Sequence, residues 1–532
     1  MSSIGRASVL IGAGTMVSRV TGLLRTVVLV GAIGAVSSAG DAFAVANQLP
    51  NNIYAIISTG LLTAVVVPQI VKAAAHVDGG RAFISKLFTL GTVGLLVATV
   101  LAVAAAPLLV NLYASKFTDD QLALSTAFAY WCLPQVFFYG LYALLGEILN
   151  ARRVFGPYTW APIVNNIVSI VGFGAFIMLF GGPLESVDRW TPASIAVLAG
   201  TATGGIVVQT VVLLFFWRRA GLRLRPDFRW RGVGLGSIGR LAGWTFLMVL
   251  AGQLAGIVQT NVLSGASGND PAIFASQNAW LLFMLPYSII VLSIGTPYFT
   301  QLSEHATAGR HDEVRADIGR SIRILGLFIV AATAALAVAA VPATRIFTKS
   351  AEQAQAAAPV LLCYLVSLIP LAVLFVVQRT FYAYNDTRTP FFFTLLQCLL
   401  VAGGAIAADA ALDRAELAAG VALTQSFASL VQVVVASILL HRRLGSIDLS
   451  TWMPPLLRFV AAAVPAAGAG WATFLLLGGP YGWTTSAQLA GALGAAIVGT
   501  VVLAVYLGIL AIFRTPELAP AMALARRFLP KR

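Results

Sequence analysis

The sequence predicts an all-α, polytopic membrane protein of about fourteen transmembrane helices: two six-helix lobes plus two extra C-terminal helices. Three observations predict it. Hydrophobic residues make up 59% of the 532 positions and charged residues only 10%, with a mean hydropathy of +0.88; soluble domains carry roughly 25% charged residues. The apolar residues gather in runs of the roughly 20 residues that a bilayer core demands. The basic residues concentrate in alternate connecting segments, as the positive-inside rule requires of a multi-spanning chain.

Taken in order, the runs are 8–36, 41–71, 86–114, 122–150, 158–181, 193–217, 241–266, 272–300, 321–346, 355–380, 390–411, 415–440, 455–478 and 486–513. The even-numbered loops hold nearly all the loop Lys and Arg, and the sixth, RRAGLRLRPDFRWRG with Arg240, has seven arginines. The odd loops, such as SSAGD and SKFTDDQ, are short and poor in base. Both termini are therefore expected in the cytoplasm, and the tail ALARRFLPKR agrees. The net charge of +14 sits in these loops, so it speaks of topology and not of nucleic acid. The first run is too long, and too rich in arginine, for a cleavable signal peptide. Cys132, Cys363 and Cys398 lie in apolar runs without CxxC spacing and read as small buried hydrophobes. His76, His305, His311 and His441 fall in expected cytoplasmic loops with no pairing at ligand spacing, so no metal site is expected.

The chain carries an internal repeat. QLPNNIYAIISTG in span two matches MLPYSIIVLSIG in span eight, with Pro50 and Pro286 236 residues apart. ILNARRVFGPY and TFYAYNDTRTPF each end a span, cross a short basic loop and restart at a proline, Pro157 and Pro390, 233 residues apart. Six spans per copy is an even number, so both copies enter from the same side, the parallel kind of transporter symmetry. The expected division is 1–220 for spans one to six, 221–452 for spans seven to twelve, and 453–532 for the two added spans and tail.

Several chemistries are missing. No GxxxxGK[ST] is present for ATP hydrolysis. Gly12-Ala13-Gly14 lacks the rest of a dinucleotide fingerprint, and nothing resembles an ion filter. Glu147 is the one acid well within a span, placed either to pair with a loop arginine or to relay a proton. The sequence reads as a transporter and not as an enzyme.

The first span holds two arginines, Arg19 and Arg25, in GTMVSRVTGLLR. Each costs about 2.5–3.5 kcal/mol at the centre of a membrane helix. Ser18, Gly22 and Arg25 share one helical face within about 60°. Arg25 is too deep to snorkel; Arg19 is not. An ion pair with Asp41 is one account of them, and an anion site is the other. Arginine suits phosphate because its planar fork stays charged and binds two oxygens at once. Amides accompany them: Gln48, Asn51 and Asn52 in span two, Gln253, Gln259 and Asn261 in span seven, and Gln277 and Asn278 in span eight. Amides bind sugar hydroxyls or peptide groups, and they also glue helices together.

At these residues the chain resembles a known family. SRVTGLLR, GDAFAVANQLPNNIYAII, TAVVVPQI and ILNARRVFGPYTWAPIVNNIV are similar to segments of the bacterial lipid II flippases, the MurJ/MviN family, in an actinobacterial-like form. The resemblance implies the fold of the multidrug/oligosaccharidyl-lipid/polysaccharide (MOP) exporter superfamily, with two lobes around a cationic cavity and the two added helices lining a groove for a polyprenyl tail. It implies residence in the bacterial cytoplasmic membrane and a substrate, undecaprenyl-diphosphate-linked disaccharide pentapeptide, flipped from inner to outer leaflet by alternating access. Ser18, Arg19 and Arg25 match cavity residues of the family, Asp41 an acid of its second helix, and Asn51 follows the matched Leu-Pro. With Asn52, Gln253, Gln277 and Asn278 these form the expected substrate-binding set. Membrane lipids and proteins of cell-wall synthesis or division are the expected partners, with no cofactor and with coupling to membrane potential, Na⁺ or H⁺. The chain departs from the family at Ile53, Tyr54, Thr59 and Leu281, where many members carry charges. A flippase for another polyprenyl-linked oligosaccharide and a drug or ion antiporter are the alternatives; the antiporter wants acids in its spans, where this chain has arginines.

Overall fold

Helix follows helix along the whole of the described chain because each apolar run has to satisfy its own backbone hydrogen bonds in lipid. The computed structural model describes residues 3–59, 81–151, 154, 156–219, 227–228, 239–268 and 270–518, and no strand occurs among them. Twelve helices are long and apolar enough to cross a membrane, and a pair bent by 70° near Ala105 makes a thirteenth candidate span. The helix Ser38–Ile57 opens the expected second span; the remainder of that span, including Gly60 and TAVVVPQI, lies outside the described residues. So do most of the arginine-rich sixth loop and the C-terminal tail.

The chain divides into two compact units, residues 1–274 and 275–532. The first contains α1 (Ser3–Ile33), α2 (Ser38–Ile57), α3 (Arg81–Ala104), α4 (Ala106–Tyr113), α5 (Asp119–Cys132), α6 (Gln135–Ala151), α7 (Gly156–Phe180), α8 (Pro192–Arg219) and α9 (Gly239–Leu263). Within it α1 packs on α7, α7 on α8, α2 on α5, and α9 on α2 and α4. α10 (Ile273–Pro286) leads into a π-helical turn, Tyr287–Leu292, and α11 (Ser293–Thr307). The second unit continues with α12 (His311–Val338), α13 (Ala340–Arg345), α14 (Ala351–Leu365), α15 (Leu368–Ala383), α16 (Arg388–Ala411), α17 (Arg414–Leu444), α18 (Leu449–Leu476), the short α19 (Trp483–Ser486) and α20 (Gln488–Ile512). α18 and α20 pack on each other and both on α12.

The internal repeat is visible in where helices start and break. The third span breaks after Ala105 and the ninth after Ala339, each followed by a short helix with proline in it. The fourth span starts at N-cap Thr118, whose hydroxyl accepts from the Gln121 amide; the tenth starts at N-cap Ser350, which accepts from the Gln353 amide. Satisfying an orphan amide in this way fixes where a helix begins. The fourth span breaks at Leu133–Pro134 and the tenth at Val366–Ser367. A glycine-on-threonine crossing also recurs: a Cβ on Gly172 of α7 would meet Thr201 of α8 at 2.5 Å, and one on Gly404 of α16 would meet Thr424 of α17 at 2.8 Å. Close backbone approach over small residues is how helices associate in lipid, where water supplies no driving force.

Candidate substrate-binding site

GTMVSRVTGLLR does two jobs on α1. Gly14, Ser18 and Gly22 are spaced four apart and face α7. A Cβ on Gly14 would meet Thr159 Cγ2 at 2.8 Å, and one on Gly22 would lie 3.6 Å from Asn166 Nδ2. The buried Asn166 donates from Nδ2 to the Ser18 carbonyl at 3.1 Å and to Thr21 Oγ1 at 2.9 Å. This small-residue stripe is a helix seam, and Ser18 belongs to it. Arg19 is exposed, whereas Arg25 is half-buried and lies within electrostatic reach of Tyr139 on α6. Among the described residues neither arginine has a carboxylate partner.

Among the described residues Asp41 does not pair with an arginine. It is 1% exposed, and both its oxygens are engaged: Ser267 Oγ donates to Oδ2 at 2.7 Å and the Phe274 amide to Oδ1 at 2.8 Å. Ser267 Oγ in turn accepts from Gln121 Nε2 at 2.7 Å, which also donates to the Ser38 carbonyl at 2.8 Å. This closed network ties the start of α2 to α5 and to the segment after α9. Within this network Asp41 pins the start of α2 to the segment after α9.

The amides divide. Asn51 is exposed. Asn52 Nδ2 donates to Tyr113 Oη at 3.1 Å, and Asn261 Nδ2 to the Leu112 carbonyl and Ser115 Oγ, so both tie their helices to the end of α4. Gln48 Nε2 donates to Thr260 Oγ1 at 3.4 Å, joining α2 to α9. Gln253 and Gln277 are half-buried. Asn278 is 5% exposed, and its Nδ2 has no partner among the described residues. Gln277 and Asn278 belong to the second unit and the other candidates to the first.

Sequence reasoning missed the tyrosines. The Tyr54 and Tyr139 rings lie 5.7 Å apart, and Tyr139 borders Arg25. Tyr142 and Tyr158 stack at 4.9 Å, with the Tyr142 hydroxyl donating to the Tyr158 carbonyl at 2.5 Å. Glu147 lies within electrostatic reach of Tyr54 and Tyr158. Arg25 thus lies within electrostatic reach of a phenol, that of Tyr139, which can donate to an anion. The spacing of Tyr139 and Tyr142 on one helix was the available signal.

A solved lipid II flippase MurJ in an inward closed conformation matches with a TM-score of 0.72 at 18% identity, covering 94% of this chain and 98% of that chain. An inward-facing multidrug resistance MATE family transporter of the MOP superfamily matches with a TM-score of 0.64 at 16% identity, covering 83% of this chain and 99% of that chain. The chain thus shares its fold with these two solved transporters. The family model for the lipid II flippase MurJ matches residues 30–488, and the chain belongs to that family. A probable lipid II flippase MurJ of Rhizobium tropici is 26% identical over 460 residues, covering 83% of this chain and 81% of the relative. One of Haemophilus influenzae is 25% identical over 405 residues (71% and 75%), and one of a Synechocystis species is 24% identical over 479 residues (88% and 87%).

Proposed function

We infer that this chain is a lipid II flippase of the bacterial cytoplasmic membrane, moving the undecaprenyl-diphosphate-linked peptidoglycan precursor from the inner to the outer leaflet. Family membership supports the reading, and the observation that carries it is Arg25: a half-buried guanidinium on a membrane helix, beside Tyr139, without a carboxylate partner among the described residues. A cation held at such cost calls for an anion, and a diphosphate offers two adjacent groups for a planar fork. Arg19, closer to the cytoplasmic end, draws the diphosphate in; Arg25 and the Tyr139 hydroxyl hold it. Asn51, Asn52, Gln253, Gln277 and Asn278 are proposed to meet the sugar and peptide, with Ser18 keeping α1 seated on α7. The lipid tail stays in the bilayer. Both termini are cytoplasmic on the charge of the loops.

The ligand moves the equilibrium between inward- and outward-open states only by its differential affinity for them. Release outside therefore needs a second input, and membrane potential supplies about 2.3 kcal/mol per charge per 100 mV; Na⁺ or H⁺ are the other inputs. Membrane lipids and proteins of cell-wall synthesis or division are the proposed partners.

The test is complementation. A bacterium depleted of its resident lipid II flippase receives this chain, or Arg19→Ala or Arg25→Ala forms at matched membrane levels. Wild type restores growth, Arg25→Ala does not, and Arg19→Ala restores it poorly. Growth with every form would remove the arginines from the mechanism, and no growth with well-expressed wild type would count against lipid II as the substrate.

A further inference from the structure

The second unit holds an arginine on a membrane helix that is not paired with an acid among the described residues. Arg379 is the twelfth residue of α15, half-buried, and its guanidinium carbon lies 5.0 Å from the centroid of the Phe299 ring and 5.2 Å from that of Phe375. The cage is built by close packing. Phe375 is one turn before Arg379 and sits where a Cβ on Gly295 would be, so α11 and α15 cross tightly there and bring Phe299 alongside. Tyr287, at the first position of the π-helical turn, and Tyr382 both lie within electrostatic reach of Arg379. The Tyr382 hydroxyl is itself held by Gln378 Nε2 at 2.9 Å. π-turns inside helices concentrate at functional positions.

Two phenyl rings offer the guanidinium edge no oxygen or nitrogen to bond. That edge carries five N–H donors, and among the described residues none of them has an acceptor. Cation–π contact holds the guanidinium against the rings but does not satisfy those donors. A guanidinium held against two rings, with its donors unmet, is a form that suits a phosphate.

We propose that Arg379, held against the rings of Phe299 and Phe375, is a phosphate-binding residue of the second unit that takes an oxygen of the substrate's diphosphate. The proposal rests on the lipid II reading above.

The experiment uses the purified full chain in detergent, with binding of fluorescently labelled lipid II measured for wild type, Arg379→Gln, Arg379→Lys and Phe299→Leu, each checked for an unchanged melting midpoint. Arg379→Gln weakens binding by at least about tenfold, the loss expected for one hydrogen bond to a charged group. Arg379→Lys recovers part of it, and Phe299→Leu, which keeps the charge, weakens binding by less than the glutamine form. Binding by Arg379→Gln equal to wild type overturns the proposal while leaving the flippase reading intact; wild type that ignores lipid II overturns the reading itself. A parallel arm measures association with phosphatidylglycerol vesicles. Loss there with lipid II affinity kept would assign the phosphate to a membrane headgroup and overturn the proposal as stated.

Discussion

Replacing Asp41 by alanine removes the acceptor for the Phe274 amide and for the Ser267 hydroxyl in one step. The Phe274 amide is buried and has nowhere else to turn, so it carries the cost of an unmade bond, about 1–3 kcal/mol. Ser267 is half-buried and recovers part of its loss by turning its hydroxyl to water, so its share is about 1 kcal/mol. The sum for Asp41→Ala is about 2–4 kcal/mol. Asp41→Asn keeps an oxygen for the Phe274 amide and presents an NH₂ that Ser267 Oγ can accept, so its cost is about 1 kcal/mol. The assay is thermal unfolding in detergent, followed by tryptophan fluorescence, with lipid II affinity measured on each folded variant. The expected order of stability is wild type, Asp41→Asn, Asp41→Ala, with affinity in the asparagine form nearly unchanged. A fully stable Asp41→Asn that no longer binds lipid II would refute the argument and return Asp41 to the substrate.

Three further outcomes follow from the packing. Arg345 is 5% exposed and donates to the Thr485, Thr348 and Ser486 carbonyls, so Arg345→Met strands buried acceptors and costs about 2–4 kcal/mol, read as a lowered melting midpoint and faster proteolysis near residues 479–487. Gly172→Ala forces a methyl onto Thr201 and costs about 1–3 kcal/mol, while Gly174→Ala, whose Cβ would meet nothing within 4 Å, leaves the midpoint unchanged. Burial opposes ionisation of Asp386 in the loop before α16, but the Thr389 amide and hydroxyl and the charge of Arg443 outweigh it and hold the carboxyl below its ordinary range. A depressed carboxyl stabilises the fold above the unfolded value of about 4 and loses that stabilisation as pH falls through the lowered one. Wild type should therefore lose more stability than Asp386→Asn between about pH 5 and pH 3, and parallel melting curves for the two would contradict the pairing.

The spans were legible because a bilayer imposes both length and apolarity on every crossing segment, and alternate loops carry the charge. The repeat was legible through Pro50, Pro286, Pro157 and Pro390. Its strongest structural marks, the caps Thr118 and Ser350 and the breaks after Ala105 and Ala339, are subtler in sequence because short polar residues and prolines are common elsewhere. Arg25 stood out because a charge in an apolar run is rare. The double use of its segment did not: the partner of Ser18 is Asn166, 148 positions away. Asp41 looked available for an ion pair until folding brought Ser267, 226 positions on, against it. Phe375 stands four residues before Arg379 on one helix, but the contact with Phe299 depends on how α11 crosses α15, which no local pattern encodes.

The central claim is that this chain carries lipid II across the membrane and that Arg25 takes part. The measurement that tests it most directly is the exposure of lipid II on the outer face of cells whose resident flippase is depleted, read by cleavage with an added hydrolase that does not enter the cell. With this chain expressed, newly made lipid II becomes cleavable from outside; with Arg25→Ala at the same membrane level it stays protected. Protection in the presence of abundant wild-type protein, or equal cleavage with both forms, would contradict the account.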